Sequence, residues 1–317
     1  MKVINMENLI VSLNVVIPLF LSIGYGYFLK KINILSEDIL YKLNTIIFHA
    51  FFPLLMFKNI YQTNIESVFE LKLILYAVIM LIFMIVVLFI TIPFIEKENA
   101  KRGVLIQAIY RSNFIIFGLS LVSSVYGEAS TGITSILIAV IVPLFNIFAV
   151  IILEIFRGEK IHFLRSVQTV CKNPLIIGAV LGIIAMIFSI RLPRIIKSTI
   201  SNFASITTPL ALIILGGTFQ FSSFHKLIKQ LCIGVLGRLI IVPAIGLGIA
   251  ILLGFRGIEL LSLFAMFGSP IAISSYPMAQ QMGGDGQLAG QLVVWTSAFS
   301  IITIFLWIFF MKSFGLI

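Results

Sequence analysis

Charged residues in this chain are gathered into short clusters, and the stretches between them are too long and too apolar for a soluble core. Residues 73–95 pass without one charge, as do residues 260–284. A helix needs only ~20 apolar residues to cross a bilayer. Sixty per cent of the 317 residues are hydrophobic and 11% charged, against ~25% charged in a soluble domain. The chain reads as an all-α, multi-pass protein of the cell membrane. Ten spans are expected: 8–29, 39–60, 72–95, 103–126, 129–153, 173–190, 197–221, 229–254, 259–283 and 286–311. The 39–60 span contains His49 and Pro53, and the 173–190 span is short. The first apolar run exceeds a signal peptide's core and reads as a retained span.

Several function classes drop out. The formal charge of +10 is scattered over loops rather than gathered on one face, which excludes a nucleic-acid surface. Cys171 and Cys232 make no disulfide or metal framework. No phosphate-binding Gly-x-x-x-x-Gly-Lys-Ser/Thr loop supports a primary pump. Nor does a cluster of Asp, Glu, His or Cys support a metal or acid–base centre, as an intramembrane lipid-modifying enzyme would need. No cofactor is expected.

Orientation follows from basic residues, which favour the cytoplasmic side. With both termini outside, the inner loops hold twelve Lys and Arg, among them Lys30, Lys97, Arg157 and Lys226. The outer side holds eight, among them Arg191, Arg194 and Arg256. The two halves also resemble each other. Ala108–Asn113 aligns with Ala265–Pro270, and Gly127-Glu128 with Gly284-Asp285, at an offset of 157. Pro18 meets Pro174, and Pro53-Leu54 meets Pro209-Leu210, at an offset of 156. The repeat therefore holds five spans, an odd number, so the second copy enters from the opposite face. The expected organisation is a first repeat over 1–156, a cytoplasmic connector over 157–172 forming an interfacial helix, and an inverted second repeat over 173–317. Inverted repeats of this kind place a transport site at the midplane.

Two spans carry breaks at matching places. Gly268, Ser269 and Pro270 interrupt the ninth, because proline removes a helix hydrogen bond and clashes with the preceding turn. Arg111, Ser112 and Asn113 interrupt the fourth, where Ser and Asn side chains compete for backbone groups. Arg111 lies about eight residues, or ~12 Å, inside its span, and a charge at that depth is costly and usually functional. The second halves, 114–126 and 271–283, are expected to begin at the membrane centre with free N–H groups and partial positive charge. Two such ends and a guanidinium suit a carboxylate. Arg111 can equally serve the fold by bonding carbonyls at the break. Ser269 and Ser275 are the serines expected at the cavity. Arg238 is a second buried cation, readable as a substrate or gating contact or as a side chain snorkelling to the surface.

All twelve acidic residues fall at span edges or in loops, which argues against a carboxylate ion relay. His49 alone inside a span titrates near neutral pH, and such a residue is more often a packing group than a proton carrier.

The chain resembles the auxin efflux carrier family, including bacterial members described as malate or malonate permeases. Ile17-Pro18-Leu19-Phe20 with Gly24-Tyr25-Gly26, Phe52-Pro53-Leu54-Leu55, and Arg111-Ser112-Asn113-Phe114 with Gly118-Leu119-Ser120-Leu121 carry the resemblance. It implies ten spans in two inverted repeats, a scaffold of spans 1, 2, 6 and 7, and a transport domain of spans 3–5 and 8–10 that moves as an elevator. Asn113 matches the family's crossover Asn and Pro270 its second crossover Pro. Ser112 and Ser120 stand where prolines are usual, and the long central loop of plant members is absent, which weakens the case for auxin as substrate.

The expectation is a secondary transporter of a small organic anion, a mono- or dicarboxylate. Its partners would be the lipid bilayer, a coupling proton or sodium ion, and a second copy in a homodimer. An anion channel or receptor on the same fold is the alternative, with an intramembrane lipid-modifying enzyme as a more distant one.

Overall fold

A computed structural model describes residues 2–62, 71–158, 170 and 172–317. The main helices are α1 (Lys2–Lys31), α2 (Glu37–Tyr61), α3 (Leu71–Ile95), α4 (Asn99–Tyr110), α5 (Phe114–Tyr126) and α6 (Gly132–Ile155). The second half of the chain supplies α7 (Pro174–Ile187), α8 (Arg194–Thr218), α9 (Ile228–Leu252), α10 (Gly257–Gly268), α11 (Ser275–Gln281) and α12 (Gly286–Ser313). Among the described residues there is no β-strand, only one antiparallel bridge between Ser112 and Ile271. The expected connector helix, with His162 and Cys171, lies almost wholly outside the described residues.

Six described helices, α2, α3, α6, α8, α9 and α12, are long and apolar enough to cross a membrane, fewer than the ten expected spans. Three of the four missing have local causes. The fourth and ninth stretches are each split into two helices, and α7 stops at Ile187 after 14 residues.

Prolines shape the long helices without ending them. The stretch that contains His49 and Pro53 is a continuous helix in which Ile47–Phe51 widens into a π-turn. His49 lies on the exposed outer surface, its ring nitrogen 3.0 Å from the Thr45 carbonyl. The same device recurs in α9, where the π-turn Gly237–Ile241 precedes Pro243. Proline cannot donate to the carbonyl four residues back. Here that group, the Leu239 carbonyl, accepts instead from the Trp307 indole at 3.1 Å.

Two helix pairs meet backbone to backbone. A Cβ on Gly216 would lie 1.9 Å from the Ile23 carbonyl, which seats α8 on α1, and one on Gly178 would lie 2.4 Å from the Pro53 carbonyl, which seats α7 on α2. Small residues permit this close approach where lipid gives no hydrophobic drive between helices. The broken helices sit at the centre of the bundle. Every residue from Gly103 to Tyr110 in α4 and from Leu260 to Gly268 in α10 is buried.

Candidate functional site

The two breaks lie side by side. After Tyr110 the chain leaves the helix, and the Asn113 N–H, which would have reached the Ile109 carbonyl, donates to the Pro270 carbonyl at 2.8 Å. The Ser112–Ile271 bridge continues this contact, and the Ile271 N–H reaches Thr296 Oγ1 at 3.3 Å. The second break is longer than expected. It runs from Ser269 to Ser274, so α11 has seven residues rather than the thirteen of an expected half-helix 271–283. α5 starts at Phe114 as foreseen.

Arg111 is 2% exposed and holds the two breaks together. Its Nη2 donates to Asn146 Oδ1 on α6 at 2.5 Å and to Ser274 Oγ at 2.6 Å. Its Nη1 reaches Met278 Sδ at 3.0 Å and Ser275 Oγ at 3.4 Å. Asn146 is itself oriented by a bond from its Nδ2 to the Val142 carbonyl, 2.8 Å. All four acceptors are neutral. The ion pairs among the described residues, Lys30–Glu37, Lys42–Asp38, Lys101–Glu98 and Arg157–Glu154, do not involve Arg111. A buried charge without a counter-ion is expensive, so the pocket is biased towards an anion.

Arg111, Ser112 and Asn113 line a cavity of about 130 Å³ with Asn59, Asn146, Thr208 and Ser274. Its apolar wall includes Phe52, Met56, Phe114 and Phe145. Ser112 Oγ and Asn113 Nδ2 are buried and have no hydrogen-bond partner among the described residues. Such groups cost ~1–3 kcal/mol each when left unpaired, and both residues line the cavity together with Arg111.

The other expected residues take different places. Ser275 touches Arg111 but does not line the cavity; Ser274 does. Ser269 turns its hydroxyl to the Ala265 carbonyl at 2.5 Å, and Gly268 packs on the Phe264 ring. Gly268, Ser269 and Pro270 thus form the frame of the break. Arg238 is fully buried behind it, donating only to carbonyls at the ends of α4 and α10. Asn146 was not foreseen, and Ser274, one of several polar groups near the break, ranked behind Ser269 and Ser275. A lone Asn in the apolar run Leu144-Phe145-Asn146-Ile147 was the available signal.

A larger cavity, about 530 Å³, lies on the other side of α11 and is lined by Tyr27, Lys30, Glu37, Thr218, Tyr276 and Gln280, among others. Here α11 is tied to its neighbours by the Tyr276 and Thr218 hydroxyls, 2.6 Å apart, and by Gln281 Nε2 to Thr45 Oγ1 at 3.0 Å.

Residues 11–308 match the sequence model of the membrane transport protein family. The chain belongs to this family of membrane transporters, the auxin efflux carrier family. As a member it is a multi-pass membrane protein. Its relatives include an uncharacterized transporter of Methanocaldococcus jannaschii, 24% identical over 312 residues that cover 94% of this chain and 98% of the relative. Another, from Methanothermobacter thermautotrophicus, is 23% identical over 310 residues, covering 93% and 97%.

Proposed function

We propose that this family member is a secondary transporter of a small mono- or dicarboxylate, bound at the crossing of the two breaks. One observation carries the reading: a buried Arg111 without a counter-ion shares a cavity with two unpartnered polar groups, Ser112 Oγ and Asn113 Nδ2. A carboxylate would accept from Arg111 and Asn113 and pair with the Ser112 hydroxyl. The volume of 130 Å³ is below the ~300–1,000 Å³ of drug-sized pockets, which favours a compact acid over one bearing an indole ring.

The reading extends to the whole molecule as ten spans in two inverted repeats, with α4–α5 and α10–α11 as the crossed spans. The pairing of α1 with α8 and of α7 with α2 supports it, since a two-fold axis exchanging the halves turns one pair into the other. The four paired helices would be the scaffold, and the crossed spans with α3, α6, α9 and α12 the moving body. With both termini outside, the larger cavity is a cytoplasmic vestibule. The Tyr276–Thr218 bond then joins moving body to scaffold and opens as the anion passes.

The test is a thermal-shift screen of small carboxylates on purified protein, since a ligand stabilises the state it binds. Counterflow of the best binder in proteoliposomes follows. Stabilisation and counterflow are expected; downhill flux without counterflow would point to the channel reading instead.

A further inference from the structure

Arg238 has all five of its guanidinium N–H donors engaged, and every acceptor is a backbone carbonyl. Nε donates to Ser269 at 2.9 Å; Nη1 donates to Ile109 and Tyr110, both at 2.9 Å; Nη2 donates to Met266 at 2.9 Å and to Phe267. These carbonyls are the ones the two breaks set free. Asn113 has turned its N–H away from Ile109, and Pro270 has no N–H to offer Met266. The C-terminal ends of α4 and α10 therefore converge on one point.

Each such end carries roughly half a negative charge, so two of them match one cation. In carriers with broken helices, half-helix C-termini and unwound carbonyls are where a sodium ion is held. We propose that the meeting point of α4 and α10 is a monovalent-cation cradle with Arg238 as its permanent occupant, so that the anion site operates without an inorganic cation at the crossing. The π-turn Gly237–Ile241 places the side chain, and Gly237 lets α9 come close to α4, since a Cβ there would lie 3.1 Å from Ile109. The charge of Arg238 is spent on the two helix ends. The charge of Arg111 is the one left over for the anion. Arg238 is thus a positioning residue.

The inference rests on the transporter reading but is tested apart from it, on the full chain with no organic acid present. The thermal midpoint is measured in sodium chloride and in choline chloride at equal ionic strength, then with millimolar methylguanidinium. The wild type is expected to have one midpoint in all three. Arg238→Ala should melt lower and be raised saturably by methylguanidinium, which a purely packing role would not produce. Should Arg238→Ala not fold, Arg238→Lys serves: with three donors for five carbonyls it should melt below the wild type. Saturable stabilisation of the wild type by sodium would overturn the proposal. So would an Arg238→Ala protein indifferent to methylguanidinium, or an Arg238→Lys protein as stable as wild type. None of these results bears on whether Arg111 binds the anion.

Discussion

At the scale of single residues, two buried arginines beside the breaks do opposite work because their acceptors differ. Arg238 meets five carbonyls and is finished as a donor, whereas Arg111 is held by two serines, an asparagine and a thioether, none of which neutralises it. Asn146 is the sharpest probe of that difference. Asn146→Asp would place a carboxylate against the Arg111 guanidinium and fill the anion's electrostatic role from within. Stabilisation by carboxylates in the thermal-shift assay should then vanish at neutral pH although the protein still folds. Ser120, whose hydroxyl is bonded to the Ile116 carbonyl, should tolerate Ala with no change in that assay. Arg111, Ser112 and Asn113 were legible in the sequence because polar groups in an apolar span have few reasons to exist. Asn146 was not, and Ser274 could not be told from its serine neighbours, because what brings them to Arg111 is a fold that sets positions 35 and 163 residues away onto one guanidinium.

At the scale of helices, breaks and close approaches matter more than hydrophobicity. The prolines and glycines foretold the breaks, but not that the second would run for six residues and shorten α11. Three backbone positions there, Ser269, Pro270 and Ile271, are bonded to Arg238, Asn113 and Thr296 rather than to a helix ladder. Gly216→Ala would force a methyl into the Ile23 backbone, and overpacking typically costs ~1–3 kcal/mol. The thermal midpoint should fall, whereas Ala at Gly248, which has open space around it, should leave it in place. The corner between α3 and α4 supplies a pH signature. Burial alone would raise the Glu96 pKa, but N–H donors of Glu98 and Lys97 and the Gln230 amide outweigh it and hold the carboxyl below its ordinary value. A carboxyl with a lowered folded pKa contributes stability that is complete above the unfolded value, ~4.3 for Glu, and is lost as pH falls through the folded value. Glu96→Gln should therefore melt below wild type at pH 7, and the gap should close as the protein is acidified past that range.

For the whole molecule, membrane class and family followed from the distribution of charge and a few short motifs. The distribution of basic residues and the repeat predict Lys226 on the cytoplasmic side and Arg194 outside. A cysteine replacing Lys226 should be labelled by an impermeant thiol reagent only from the cytoplasm, and one replacing Arg194 only from outside. Labelling of both from one face would contradict the inverted repeat. The exposed placement of His49 could not be read from its sequence neighbours, because apolar residues flank it whichever way it faces. Neither His49 nor a carboxylate is among the residues that line the cavity beside Arg111.

A carboxylate bound beside Arg111 is what the proposed function requires. Its most direct test is the equilibrium dissociation constant of the tightest acid from the thermal-shift screen, measured by titration calorimetry on folded wild type, Arg111→Gln and Arg111→Lys. A charge-assisted contact is worth ~1.5–3 kcal/mol, and ~1.4 kcal/mol is tenfold in affinity. Arg111→Gln should therefore bind about ten- to a hundredfold more weakly, and Arg111→Lys should recover part of the loss, because Lys keeps the charge without the planar fork. A folded Arg111→Gln protein that binds the acid as tightly as wild type would contradict the account.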